Sequence, residues 1–224
     1  MTQAAAGTPI EEFIAGERRE LAALLAALPD ADWDKPSLCA GWRVREVVAH
    51  MTMPFRYSTL RFATALARAR LDFAKMADRC ARRDAAAPPA ELVAALRDNE
   101  RYPWKPPGAG LEGALTHDVI HGLDITTALG TGRRVPQDRL RQVLATVTGS
   151  ESRKHFGVDL TGIELRATDL EWSFGTGTPL AGEAQDLALV LCGRQLPAGH
   201  LSGEAAARFS AGQGPPRLTA SGTA

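Results

Sequence analysis

The sequence predicts a helical bundle followed by a smaller α+β unit. Three observations carry that reading. Apolar residues recur with a 3.6-residue period through most of the first 150 residues. After residue 150 the texture changes to alternating, β-prone segments. Proline- and glycine-rich stretches separate the periodic segments. With 224 residues the chain is long enough to bury a sizeable core.

From Pro9 to about Leu28 an apolar stripe of Ile10, Phe13, Ile14, Leu21, Leu24, Leu25 and Leu28 predicts an amphipathic helix. The stretch PDADWDKPSLCAGW is turn-rich. A second helix is expected from about Arg43, with Val44, Val47, Val48, Met51 and Phe55 on one face, and its continuation STLRFATALARARLDFAKMADRCARR is also helix-like. AELVAALRDNER follows a proline suited to a helix start. The loop YPWKPPGAG then breaks the chain, a helix is expected over 111–129 with Gly130 as its stop, and VPQDRLRQVLATV adds a short one. Beyond residue 150, GIELRATDLEWSFGTG predicts a hairpin and GEAQDLALVLCGR a helix, while HLSGEAAARF suggests a short strand or turn with a last helical piece. The expected organisation is a bundle over 1–150, an α+β domain over 151–211 and a disordered tail over 212–224.

Lys+Arg and Asp+Glu both number 26, so zero net charge argues against nucleic acid or an anionic membrane as partner. The basic residues are 22 arginines and only four lysines, the signature of a GC-rich bacterial genome. Cys39, Cys80 and Cys192 are far apart and in no CxxC arrangement, so neither a disulfide scaffold nor a thiolate zinc site is expected. The N-terminus lacks a basic region followed by an apolar core, and no apolar run is long enough to span a bilayer. A monomeric cytoplasmic protein acting on small molecules is the expectation.

The segment THDVIHGLDI holds the strongest chemical signal. His117 and His121 are four apart on the expected helix, roughly 40° and ~6 Å from one another around and along its axis, so both rings can aim at one point. HxxxH is the simplest helical chelate for a divalent metal. Asp124 and Ala128 continue the row, small residues flank it, and Leu111, Leu115, Val119 and Leu123 form the back of the helix. Two ligands hold zinc poorly, so a third is needed; without it the pair reads as hydrogen-bonded core histidines. His155 and His200 lie in loop-like contexts, where solvated surface is the default. His50 sits beside the apolar stripe of the second helix, four residues before Pro54, where a kink or bulge is expected. A bundle-core site of one histidine plus an HxxxH pair is physically sensible.

LCAGWRVREVVAHM followed by HDVIHGLDITTALG resembles the mycothiol-dependent maleylpyruvate isomerase family, within the DinB-like metal-binding bundle superfamily. TDLEWSFGTG and GEAQDLALVLCGR resemble that family's C-terminal domain, so the resemblance reaches about residue 210. It implies a DinB-like four-helix bundle and a site for Zn2+, or another divalent transition metal, made by His50, His117 and His121. The family's isomerases often carry Glu where this chain has His117, whereas three histidines are common in the wider superfamily. Gly193-Arg194 matches the place of the family's catalytic arginine, which implies Arg194 as a clamp for a carboxylate; without the resemblance it is a helix-end cation. Glu46 and Asp124 stand one turn from His50 and His121 and are candidates to orient their rings. Trp42 and Trp172 read as packing anchors.

The implied activity is metal activation of mycothiol, for S-transfer to, or cis–trans isomerisation of, a small electrophilic maleylpyruvate-like acid. Two other readings stay open. One is a hydrolase or lyase using zinc-bound water at the same position; the other is a non-catalytic module that binds metal or ligand.

Overall fold

The computed structural model describes residues 8–211. The expected tail, 212–224, lies outside the described residues. Nine α-helices and one four-stranded sheet make up the described chain.

The first helix, α1 (Pro9–Ala26), begins where Glu11 accepts from the Thr8 amide at 2.7 Å, with Pro9 at the first helical position. A 3₁₀ turn at Asp30–Asp34 buries Trp33. Then come α2 (Val44–Arg56), α3 (Thr59–Arg68), α4 (Phe73–Asp84), α5 (Pro89–Arg97), α6 (Gly110–Ala128) and α7 (Gln137–Val147). α1 packs on α5 and α6, and α2 on α4, α5 and α6. Leu21, Leu25, Val44, Val47, Val48, Met51, Leu92, Leu96 and Ile125 fill the core between them.

The expected continuous helix after α2 is in fact two. Arg70 and Leu71 both adopt left-handed backbone, at φ 59° and 65°, and Asp72 caps α4 by accepting from the Lys75 amide at 3.0 Å. That cap was the readable signal, since Asp is a better helix starter than interior residue. Pro54 is accommodated inside α2, which ends two residues later.

The helix α6 is the pivot of the molecule. Its Ile125 joins the core just described, while Leu115, Val119 and Leu123 belong to a second core with Ile14, Leu140, Leu144, Leu165, Leu180 and Leu189. This second core runs across residue 150, so bundle and α+β unit share buried apolar surface. Buried charge ties α1 to α7 and to the loop before it: Glu17 accepts from Arg133 at 2.7 Å and Arg139 at 3.3 Å.

After α7 a helix, α8 (Ser150–Phe156), occupies a stretch for which no element was expected, and His155 stands on it against Phe156. The expected hairpin is present as β1 (Ile163–Ala167) antiparallel to β2 (Ser173–Gly175). A further strand, β3 (Thr178–Gly182), lies parallel to β1 on its other side and pairs with β4 (Leu201–Ser202), giving the order β2-β1-β3-β4. The crossing from β2 to β3 requires Gly177: its φ is +131°, and a Cβ there would collide with the Gly162 carbonyl. The helix α9 (Ala184–Leu191) packs on α6, α7 and the sheet. It ends at Gly193, whose φ of +78° reverses the chain so that the Arg194 amide bonds the Leu189 carbonyl at 3.0 Å. Among the described residues no helix is long and apolar enough to cross a membrane.

Candidate metal centre

Packing of α2 on α6 brings His50 against His117 and His121. The Nε2 atoms of His50 and His117 are 3.2 Å apart, and one ligand nitrogen from each of the three rings lies within 4.8 Å of the others. His50 and His121 are buried, whereas His117 is partly open. Trp42 lies against His50 with ring centroids 5.2 Å apart, and Trp104 meets His117 edge-on at 4.9 Å.

The second nitrogen of two of the rings is held. His117 Nδ1 is 2.9 Å from Asp118 Oδ1, and His121 Nδ1 is 3.0 Å from Asp124 Oδ2. Each carboxylate therefore accepts from Nδ1 and turns Nε2 towards the cluster. His50 differs: its Nδ1 is buried with no partner. The expectation that Glu46 orients His50 is overturned, because Glu46 caps its own helix. It accepts from the Arg43 amide at 2.8 Å and from Arg43 Nη2 at 2.6 Å.

Charge in the site is balanced by burial and by arginine. Burial, then the neighbouring His121 and His117, push His50 well below its ordinary value. Burial likewise lowers His121 to about 4, against the opposing pull of Asp124. Burial alone would raise Asp124, but the Arg194 charge and the His121 bond hold it far below the usual carboxylate range. The result is a pair of imidazoles that stay neutral at pH 7 with lone pairs available.

Arg194 reaches this site from the turn after α9, and it does so through Asp124. Its Nε and Nη2 bond the two carboxylate oxygens at 2.9 Å each, its Nη1 bonds the Cys192 carbonyl at 2.8 Å, and Nη2 lies 3.5 Å from Cys39 Sγ. The guanidinium fork expected to clamp a substrate carboxylate thus has an internal carboxylate in its grip.

Cys39 belongs to the same cluster, which sequence reasoning missed. The loop before α2 is stitched to α6 by a bond from the Leu38 amide to the Asp124 carbonyl at 3.0 Å, and the Cys39 thiol donates to Asp124 Oδ2 at 2.9 Å. Cys39, His121 and Asp124 form a second group with metal-ligand spacing. Arg194 already supplies the positive charge there, and burial followed by the Asp124 charge pushes the Cys39 thiol well above its ordinary value. The two groups thus have different chemistry: three imidazoles on one side of His121, an arginine-neutralised carboxylate and thiol on the other.

His200, expected on the solvated surface, is about one-third exposed and has a partner there: its Nδ1 is 3.0 Å from Asp186 Oδ2. The pair lines a cleft of about 550 Å³ with Thr126, Glu183 and Ser202. That cleft opens at the C-terminal end of α6, roughly 14 Å along the helix from His117. Trp42 is an anchor in the expected sense, its Nε1 donating to Asp78 at 2.9 Å, and Trp172 stacks with Phe174.

Residues 14–101 match the family model described as the mycothiol maleylpyruvate isomerase N-terminal domain. Over that stretch the chain is similar to the N-terminal domain of that family. Of the three clustered histidines, His50 lies within the match, and α6 with His117 and His121 follows it. Crystal structures of the mycothiol-dependent maleylpyruvate isomerase, and of a histidine-to-alanine mutant of it, superpose with TM-scores of 0.53 and 0.55. Each alignment covers 93% of this chain and 97% of the other at 14% identity, so the whole fold is shared, α+β unit included. The uncharacterised protein Rv0036c of Mycobacterium tuberculosis strain H37Rv is 25% identical over 221 residues, covering 84% of this chain and 86% of the relative. Its counterpart in strain CDC 1551, MT0041, aligns equally well.

Proposed function

We propose that this protein is a metal- and thiol-dependent enzyme that uses mycothiol for cis–trans isomerisation of, or S-transfer to, a small electrophilic acid of the maleylpyruvate kind. His50, His117 and His121 are its ligands for zinc or another divalent transition metal. It works in the cytoplasm as a monomer. The division near residue 150 belongs to the same reading, with the α+β unit contributing Arg194 to a site otherwise built by the bundle.

The observation that carries the proposal is the convergence of three imidazoles, two of them held at Nδ1 by a carboxylate so that Nε2 turns towards the others. Two nitrogens at 2.0–2.1 Å from a tetrahedral ion are about 3.3 Å apart. The His50 and His117 Nε2 atoms, at 3.2 Å, match that spacing. Three neutral nitrogens form the donor set of a catalytic zinc site that retains an open position. A divalent metal held there supplies the Lewis acidity that makes a thiolate available at neutral pH.

The chain's own groups do the rest. Asp118 and Asp124 keep His117 and His121 in the productive tautomer. To present its Nε2 lone pair, His50 moves its proton to Nδ1. Trp42 and Trp104 cover His50 and His117 with apolar surface and limit water. Thiol and electrophile approach on the side of His117, the most open of the three. Arg194 is a positioning residue, holding Asp124 against His121.

Elemental analysis of purified protein beside His121→Ala, followed by a maleylpyruvate assay with and without mycothiol, tests the reading. About one equivalent of metal, lost in the variant, and turnover that requires the thiol are the expected results. Turnover of an ester or amide that persists without any thiol would instead establish a hydrolase, and a wild type that cannot be loaded with metal would refute the site.

A further inference from the structure

The guanidinium of Arg18 is fully buried in the bundle, although its place in the run GERRE looks like a solvated helix face. Its Nε donates to Asp118 Oδ2 at 2.6 Å, across 100 residues of sequence. The other oxygen of that carboxylate, Oδ1, is the partner of His117 Nδ1 at 2.9 Å. Arg18 Nη1 reaches in a different direction, to the carbonyls of Tyr102 at 2.8 Å, Asn99 at 3.3 Å and Glu100 at 3.4 Å. Those carbonyls belong to the segment that leads into Trp104, whose ring rests on His117. The Phe55 ring lies under the guanidinium, 4.9 Å from its carbon.

Stability alone does not account for this arrangement. Burying a guanidinium is costly, and here Nη2 is left without a partner. An apolar side chain of similar volume would fill the space at less cost. What only the arginine does is bind one oxygen of Asp118, so that the other stays turned towards His117, while holding the Trp104 segment in place. A carboxylate fixed at one oxygen presents the second in a single orientation, and the imidazole bonded to it inherits that orientation.

We infer that Arg18 is a positioning residue for His117, acting through Asp118 and through the 99–104 segment. This rests on the proposed metal site, and it gives that site two parallel chains of the same kind. Arg18, Asp118 and His117 come from α1 and α6; Arg194, Asp124 and His121 come from the turn after α9 and from α6. His50 has no such chain and is the ligand with the least fixed ring.

The test is metal affinity, measured by chelator competition, together with the visible absorption of the cobalt-loaded protein, for wild type, R18K, R18M, D118N and R18M/D118N. Partners of a ligating histidine change metal affinity by about 10- to 100-fold. R18M and D118N are expected to weaken binding on the order of 10-fold and to alter the cobalt spectrum. The double variant should lose less than the sum of the two single losses, because both changes cut the Asp118 route and only the 99–104 contacts are Arg18's own. R18K, which keeps a charge beside Asp118 but cannot span to the carbonyls, covers the case in which R18M fails to fold, and should fall between R18M and wild type. Unchanged affinity and spectrum in folded R18K and D118N would overturn the inference while leaving the metal site standing. Additive losses in the double variant would overturn it too. A wild type that binds no metal would remove the site itself and this inference with it.

Discussion

The Nε2 atoms of His50 and His117 face each other at 3.2 Å although 67 residues separate them in sequence. Two lone pairs at that distance repel. The contact requires either a proton between the two nitrogens, carried by one ring or the other, or a cation between the rings. A proton on His50 Nε2 alone leaves its buried Nδ1 an acceptor without a donor; either alternative leaves it a donor without an acceptor. Proton and metal therefore compete for the same nitrogen.

Metal loading is expected to stabilise the fold. A ligand that binds only the folded state, present at 100 times its dissociation constant, adds about 2.7 kcal/mol. Thermal unfolding with and without added zinc should show that gain in wild type and lose most of it in His50→Ala and His121→Ala. A zinc-independent midpoint in wild type would contradict three-histidine ligation.

Asp124 and Arg194 form a buried pair, so removing one partner strands the other. Asp124→Asn and Arg194→Met should each cost about 3–5 kcal/mol in urea unfolding. The double variant should recover part of that loss, because the uncompensated charge is gone. Simple additivity of the two losses would mean that the pair is not energetically coupled.

Stability in acid should depend on Asp84, which accepts from Tyr57 and from Arg83 at 2.8 Å each and from Arg56 at 3.2 Å. Burial would raise its carboxyl, but the Arg83 and Tyr57 bonds and the Arg56 charge hold it below the ordinary 3.8. A depressed folded-state value means that the contribution is complete above about pH 4 and disappears as the pH falls through the folded value. Asp84→Asn should therefore lose about 1–3 kcal/mol at pH 7, and the gap to wild type should close below pH 4. A gap that persists to pH 2 would show that the loss is one of packing and not of charge.

The cysteines should be inert in the native state. Cys39, Cys80 and Cys192 are all buried, and burial pushes the Cys192 thiol up to about 12. Alkylation at pH 7.5, followed by mass spectrometry, should label none of them until denaturant is added. Rapid labelling of Cys39 would show that the Asp124 and Arg194 cluster opens, and would offer a protein thiol in place of an external one.

How much of this was legible beforehand follows from the range of each signal. Periodicity and punctuation are local, so α1, α2, α5, α6, α7, α9 and the β1–β2 hairpin were readable from the stripes of Leu21 and Leu25 or Val44 and Val47, from the proline before α5 and from the stop at Gly130. The break at Arg70–Leu71 was not, because neither residue is a usual turn former and only the Asp72 cap hinted at it. Nor was β3, whose TPLAG is too short and too weakly β-prone to be distinguished from a loop; it becomes a strand by pairing with β1.

The sequence by itself determined the metal-capable residue types: HxxxH spacing is a property of one helix, and His50 stood out through its place beside an apolar stripe. Only the tertiary structure decided what surrounds those rings. Arg18 joins Asp118 across 100 positions, Arg194 joins Asp124 across 70, and Glu46 turns away from His50 to cap its own helix. The physical reason is that a buried charge must find its partner in space. Burial is decided when helices and sheet close on one another, and no window along the chain contains it.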